Sequence, residues 1–292
     1  MSNFSPTDAA LEGVRLTRQR PKTVLIWSGY YLIFTLMLFV VAYLTLGPHA
    51  QEMLQEVQRG ESDPADAEKL VRQTLPFFAA GFPLSLLFMT MLISAIYRAV
   101  LASDASATRF RLGAQEWRLA VLILIGALIV TGVLFLSNLV VGDVAAVGAS
   151  GLVYGVVAIA AVAAILYLFV RLSLAGPATF AQGRLVVFKS WPLTHGHFWK
   201  LLGAYVMAGA VCMVVLVLMT LIFGLVFGLF ARVTGLSITG LEAAASSPGV
   251  FIVALAWQAV NAFMSVCCYV ILLAPSAQAY RDITASAAVA SA

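Results

Sequence analysis

The chain has 292 residues, 62% of them hydrophobic and 10% charged, with a formal net charge of +4. A water-soluble domain carries roughly 25% charged residues, so this composition excludes a soluble globular protein. It also excludes a nucleic-acid-binding module, which needs a basic domain, and leaves an all-α, polytopic membrane protein.

Residues 1–22 form a polar, amphipathic N-terminal segment. The apolar run after it is longer than the ~7–15 residues of a signal-peptide core, so it reads as an uncleaved signal anchor. Six apolar runs follow in order, at 24–46, 77–101, 119–141, 152–174, 201–230 and 250–274. Each is long enough to cross ~30 Å of hydrocarbon as a helix. Barrel strands would be about ten residues long and alternate in polarity, which these runs do not. A six-helix transmembrane domain over 23–274 is therefore expected, followed by a disordered tail over 275–292 that carries no lipidation box.

Basic residues set the threading. Of the 17 Lys and Arg, only Arg59, Lys69, Arg72 and Arg232 fall on one side of a six-span chain. The other thirteen are expected in the cytoplasm together with both termini, where they meet anionic lipid headgroups. The longest external segment, 47–75, looks helical, and Asp63 before Pro64 is a good start signal. Pro83 is a candidate break in the second span.

The three outward-running spans share a cytoplasmic lead-in. "VRLTRQRPK" places Leu16 six residues before Lys22, "FRLGAQEWR" places Leu112 six before Arg118, and "WPLTHGHFWK" places Leu193 seven before Lys200. The second span ends in Arg98 and then Leu101-Ala102, the fourth in Arg171 and then Leu174-Ala175, and the sixth in Leu273-Ala274 without the arginine. This pattern predicts three helical hairpins with amphipathic interfacial lead-in helices. Arg98 and Arg171, about one turn from the membrane edge, are expected to snorkel. Trp117, Arg118, Trp191, Trp199 and Lys200 fit an interfacial belt. The interfacial segment 175–200 includes a basic amphipathic helix over 178–190, with Arg184 and Lys189, lying in the interface plane.

His195 and His197 raise the question of zinc, which takes about four ligands, or three and water. His49 lies across the membrane and no acid or cysteine is close in sequence, so interfacial structure or a headgroup contact is the better reading. Cys212, Cys267 and Cys268 read as apolar filler. No metal or other cofactor is expected.

Two further features lie at membrane depth. Gly151, Gly155 and Ala158, and separately Gly224 and Gly228, form small-residue faces suited to close helix packing, within the chain or in a dimer. Gln258, Asn261 and Ser265 share one face of the sixth span. An unpaired amide there costs several kcal/mol, so the stripe is expected to point into the bundle, with Asn138, Thr131 or Thr220 as partners. It is either hydrogen-bond glue or the lining of a cavity.

"S-W-x-L-T-x-G-x-x-W" at 190–199, preceded by "LAGPATFAQG" at 174–183, resembles the YciC-like family of bacterial inner-membrane proteins. It is also similar to the membrane domain fused to some glycerophosphodiester phosphodiesterases. Relatives often carry an acid where this chain has Gln182. The resemblance implies a bacterial cytoplasmic-membrane protein linked to envelope or lipid homeostasis. No HExxH, GxSxG, Walker or Rossmann pattern is present, and no His, Asp, Glu or Lys lies inside a span. A non-catalytic scaffold or partner subunit, binding membrane lipids and a protein partner or a second copy, is expected ahead of a transporter or a lipid- or neutral-solute-handling protein, and both ahead of an enzyme.

Overall fold

The computed structural model describes residues 5–49, 64–102, 110, 112–146, 151–187, 190–234 and 248–291. Among these residues the chain is all-α. Its helices are α1 (Pro6–Gln19), α2 (Pro21–Leu46), α3 (Pro64–Tyr97), α4 (Ala114–Ala146), α5 (Gly151–Leu172), α6 (Ala175–Gln182), α7 (Ser190–Thr194), α8 (Phe198–Thr234) and α9 (Pro248–Ser291). Six of them, α2, α3, α4, α5, α8 and α9, are long and apolar enough to cross a membrane, and the protein is a multi-pass membrane protein. At 1.5 Å per residue the 26 residues of α2 span about 39 Å.

Local chemistry sets the helix ends. Pro6 opens α1, Ser5 Oγ accepts from the Asp8 amide at 3.4 Å, and Asp8 and Arg18 sit at the ends that suit their charges. Arg20 precedes Pro21 and leaves the helical region (φ −126°, ψ 55°), which separates α1 from α2. Pro64 opens α3 as expected, while Asp63 lies outside the described residues. Neither Pro76 nor Pro83 breaks α3. A π turn, Arg98–Ala102, follows it.

The chain divides into two compact units. The first comprises 1–19, 90–214 and 269–292, the second 20–89 and 215–268. In the second, Phe34 of α2 stacks on Phe88 of α3 at 4.3 Å, and Phe227 of α8 meets Trp257 of α9 edge-on at 5.3 Å.

The first unit has a continuous core of Ala9, Val170, Leu174, Ala178, Val186, Leu201, Ala204, Ala279, Tyr280 and Ile283. Small residues let its helices approach closely. A Cβ on Gly13 of α1 would run into the Ile271 Cα and the Val270 carbonyl of α9, so α1 lies directly against that backbone.

Two expectations for this unit are corrected. The tail expected to be disordered from 275 is helix through Ser291, and Ser276, Ala277, Gln278, Ala279, Tyr280 and Ile283 are buried. Segment 178–190 is not one continuous helix, because the helix stops at Gln182. Residues Ala175–Gln182 form a short helix whose first six residues are all buried, and Gly183 ends it at φ +61°. Val186 then turns back, its amide donating to Thr179 Oγ1 at 3.1 Å. Small apolar residues in α6 allow burial on all sides, which an amphipathic surface helix does not.

Candidate functional site

The polar chemistry of the first unit centres on the two arginines that end α3 and α5. Arg98 does not snorkel. It is 8% exposed, its Nη2 lies 3.5 Å from Glu116 Oε1 on α4, and Ser94 Oγ donates to the same oxygen at 2.7 Å. Removing a charge from water costs several kcal/mol unless it is paired and hydrogen-bonded, and Glu116 supplies that pairing from the lead-in of the third span. Beside this pair Arg281 Nη1 donates to the Val100 carbonyl at 3.2 Å, satisfying a backbone group of the π turn.

Arg171 holds the corresponding place before its own Leu-Ala pair, and its environment differs. It is half-buried. Its guanidinium lies over three rings, 5.3 Å from the Tyr167 centroid, 5.4 Å from Trp191 and 5.8 Å from Phe198. Nε donates to Tyr167 Oη at 3.3 Å, and Nη1 donates to Thr194 Oγ1 at 3.2 Å and the Trp191 carbonyl at 3.5 Å. No carboxylate lies within ion-pair distance of it among the described residues. In the lead-ins, Glu116 immediately precedes Trp117-Arg118, and Phe198 immediately precedes Trp199-Lys200. The acid that neutralises one arginine is thus replaced, at the matching position, by a ring beneath the other.

Between these sites lies a hydroxyl cluster. The Tyr97 ring packs at the backbone of Gly176, where a Cβ would stand 2.5 Å from the hydroxyl. Tyr97 and Tyr205 both lie beside Ser276, and Tyr205 also beside Ser173. Ser276 Oγ donates to the Leu273 carbonyl at 2.7 Å and Ser173 Oγ to the Val170 carbonyl at 2.8 Å.

Of the interfacial residues singled out in the sequence, Trp117 and Trp199 are 72% and 79% exposed. Lys200 is exposed and Arg118 half-buried. Trp191 faces Arg171, and exposed Arg184 donates from Nε to Gln182 Oε1. Lys189 lies outside the described residues. His195 is exposed and His197 half-buried, the ring Nδ1 of His197 lying 3.3 Å from the His195 carbonyl. No group of three metal-ligating side chains occurs among the described residues.

The residues at membrane depth fall differently from expectation. Asn261 is exposed while Gln258 and Ser265 are half-buried, so the stripe is not turned inward as a unit. Asn138, Thr131 and Thr220 are exposed too, and Asn138 Nδ2 donates to the Leu134 carbonyl of its own helix at 2.8 Å. The small-residue faces are open. At Gly151, Gly155, Gly224 and Gly228 a Cβ would meet nothing within 4 Å, and Ala158 is exposed. The three cysteines are buried and free.

No known protein family, curated protein or solved structure matches the chain.

Proposed function

We propose that the protein is a non-catalytic, multi-pass component of a bacterial cytoplasmic membrane. Both termini lie in the cytoplasm, and its open helix faces pack against a transmembrane helix of a partner or of a second copy. The observation that carries this reading is the exposure of the small-residue faces. A Cβ at Gly151, Gly155, Gly224 or Gly228 would meet nothing within 4 Å among the described residues, and only 6% of the most apolar windows of α5 and α8 is buried. In lipid, helices associate through such small-residue contacts and through side-chain amides. Asn138 and Asn261 add exposed amides at membrane depth, where a helix partner would satisfy them better than hydrocarbon. The placement of Lys and Arg supports the orientation. The likeness of residues 174–199 to the YciC-like family supports the bacterial membrane and a role in envelope or lipid homeostasis.

A photo-crosslinking side chain at Gly155 or Gly224 is expected to yield a protein adduct of one defined mass in intact membranes, and one at Leu128 or Phe135 to yield lipid adducts. Lipid adducts alone at all four positions reject the reading. Transbilayer movement of fluorescent lipid in proteoliposomes of the purified protein would favour a lipid-handling role instead.

A further inference from the structure

We propose that Arg171 is a binding site for the phosphate of an anionic phospholipid headgroup. A guanidinium has five N–H donors. The fixed contacts of Arg171 take Nε–H and the Nη1 group, which leaves both Nη2 protons available. Its charge has no carboxylate partner among the described residues, whereas Arg98 has Glu116. The rings of Tyr167, Trp191 and Phe198 hold the guanidinium in place. A donor already fixed loses little freedom when it takes a ligand.

The location matches the ligand. Arg171 stands in the last turn of α5. Trp191 and the 79%-exposed Trp199 mark the layer in which Trp and Tyr meet headgroups. Exposed Lys200 adds a second positive charge, and Phe198 opens α8, whose amino end favours anions. The same surroundings select against a choline headgroup. A quaternary ammonium would be repelled by Arg171 and Lys200, and the aromatic faces able to hold it are already covered by the guanidinium.

The inference rests on the membrane reading alone and is independent of any helix partner. Crosslinking at Gly155 does not report on it, so either proposal can fail without the other. The test uses the full-length protein in detergent, depleted of lipid and titrated with mixed micelles of phosphatidylglycerol or phosphatidylcholine. Native mass spectrometry reads the affinity of the first lipid bound. The wild-type protein is expected to prefer phosphatidylglycerol. A charged hydrogen bond is worth about 1.5–3 kcal/mol, so Arg171→Gln is expected to weaken that first binding by roughly tenfold or more. Phe198→Glu is expected to do the same by giving Arg171 an internal counter-charge, and it keeps the test valid if Arg171→Gln fails to fold. Arg171→Lys should retain part of the preference, and Arg184→Gln should retain all of it. An unchanged preference for phosphatidylglycerol in both Arg171→Gln and Phe198→Glu overturns the site. Displacement of phosphatidylglycerol by millimolar inorganic phosphate overturns the lipid assignment in favour of a soluble anion.

Discussion

Arg98 directly follows α3 and Arg171 lies in the last turn of α5, each three residues before a Leu-Ala pair, and they meet opposite fates. Arg98 is closed in with Glu116 and Ser94, while Arg171 keeps its charge open among three aromatic rings. The residue before the lead-in tryptophan accounts for the difference. A carboxylate there lets the arginine be buried. A phenylalanine gives it apolar support but no counter-charge, so it must stay in contact with solvent or headgroups. The glycines repeat the contrast. Gly13 is pressed against the backbone of α9, and Gly155 faces open space.

The most severe way to break the comparison is to remove Glu116. Glu116→Leu leaves Arg98 buried without its carboxylate, and stripping one partner from a buried pair costs about 3–5 kcal/mol. Thermal unfolding in detergent should show a large loss of stability. Adding Arg98→Met should recover much of it, because well-packed apolar residues replace buried ion pairs at little net cost. Failure of the double variant to recover would mean that Arg98 acts through contacts other than the ion pair.

Next in size is the glycine contrast. A Leu at position 13 cannot be accommodated by a side-chain rotation, since the obstacle is the backbone at Val270 and Ile271. Gly13→Leu is expected to cost about 1–3 kcal/mol as overpacking, or to release α1. Release would be read as faster tryptic cleavage at Arg15 and Arg18. At Gly155 a Cβ meets nothing within 4 Å among the described residues, and Gly155→Leu is expected to gain up to about 1 kcal/mol of helix propensity. If the proposed partner helix exists, the same change should abolish crosslinking at neighbouring Ala158. Equal destabilisation by the two leucines would remove the distinction between packed and open faces.

Arg171 should matter far less to stability than Arg98. Its bonds lie at a half-exposed site where such contacts contribute about 0–1 kcal/mol, so Arg171→Gln should shift the unfolding midpoint only slightly while changing lipid binding. A loss as large as that of Glu116→Leu would show the arginine to be structural.

The sequence made the spans legible because twenty apolar residues in a row have few other uses, and two of the three lead-ins carry a Trp-basic pair, Trp117-Arg118 and Trp199-Lys200. What it concealed follows from context. Pro275 reads as a helix stop, yet α9 runs through it, and the alanine-rich stretch beyond has high helix propensity and a face, Ala279, Tyr280 and Ile283, that joins the core. The expectation of an amphipathic interfacial helix over 178–190 rests on its basic residues, Arg184 and Lys189. The small apolar residues of Ala175–Gln182 carried the signal of burial, and Gly183, the stop. Glu116 was visible as the acid beside Trp117, but pairing it with Arg98 requires knowing that α3 and α4 meet there. The amide at Asn261 was assigned to the interior from its cost in lipid, which a partner outside the chain can relieve equally well.

The smallest effect is expected at the two histidines, which lie in the turn between α7 and α8, flanked by the Thr194 and Phe198 that touch the open arginine. His195 is exposed, and the ring of His197 folds back on the His195 carbonyl across Gly196. The turn itself is set by Gly196 at φ +79°, a region that costs an L-residue roughly 1–2 kcal/mol. Replacing both histidines with Gln keeps polar side chains of similar reach and leaves that glycine in place. The change in stability should fall within about 0.5 kcal/mol, the usual range for surface positions. Gly196→Ala, one residue away, should cost more than the pair together. Elemental analysis supplies the opposing outcome. Stoichiometric zinc in the purified protein, lost with the double substitution, would mean that this turn is a metal site.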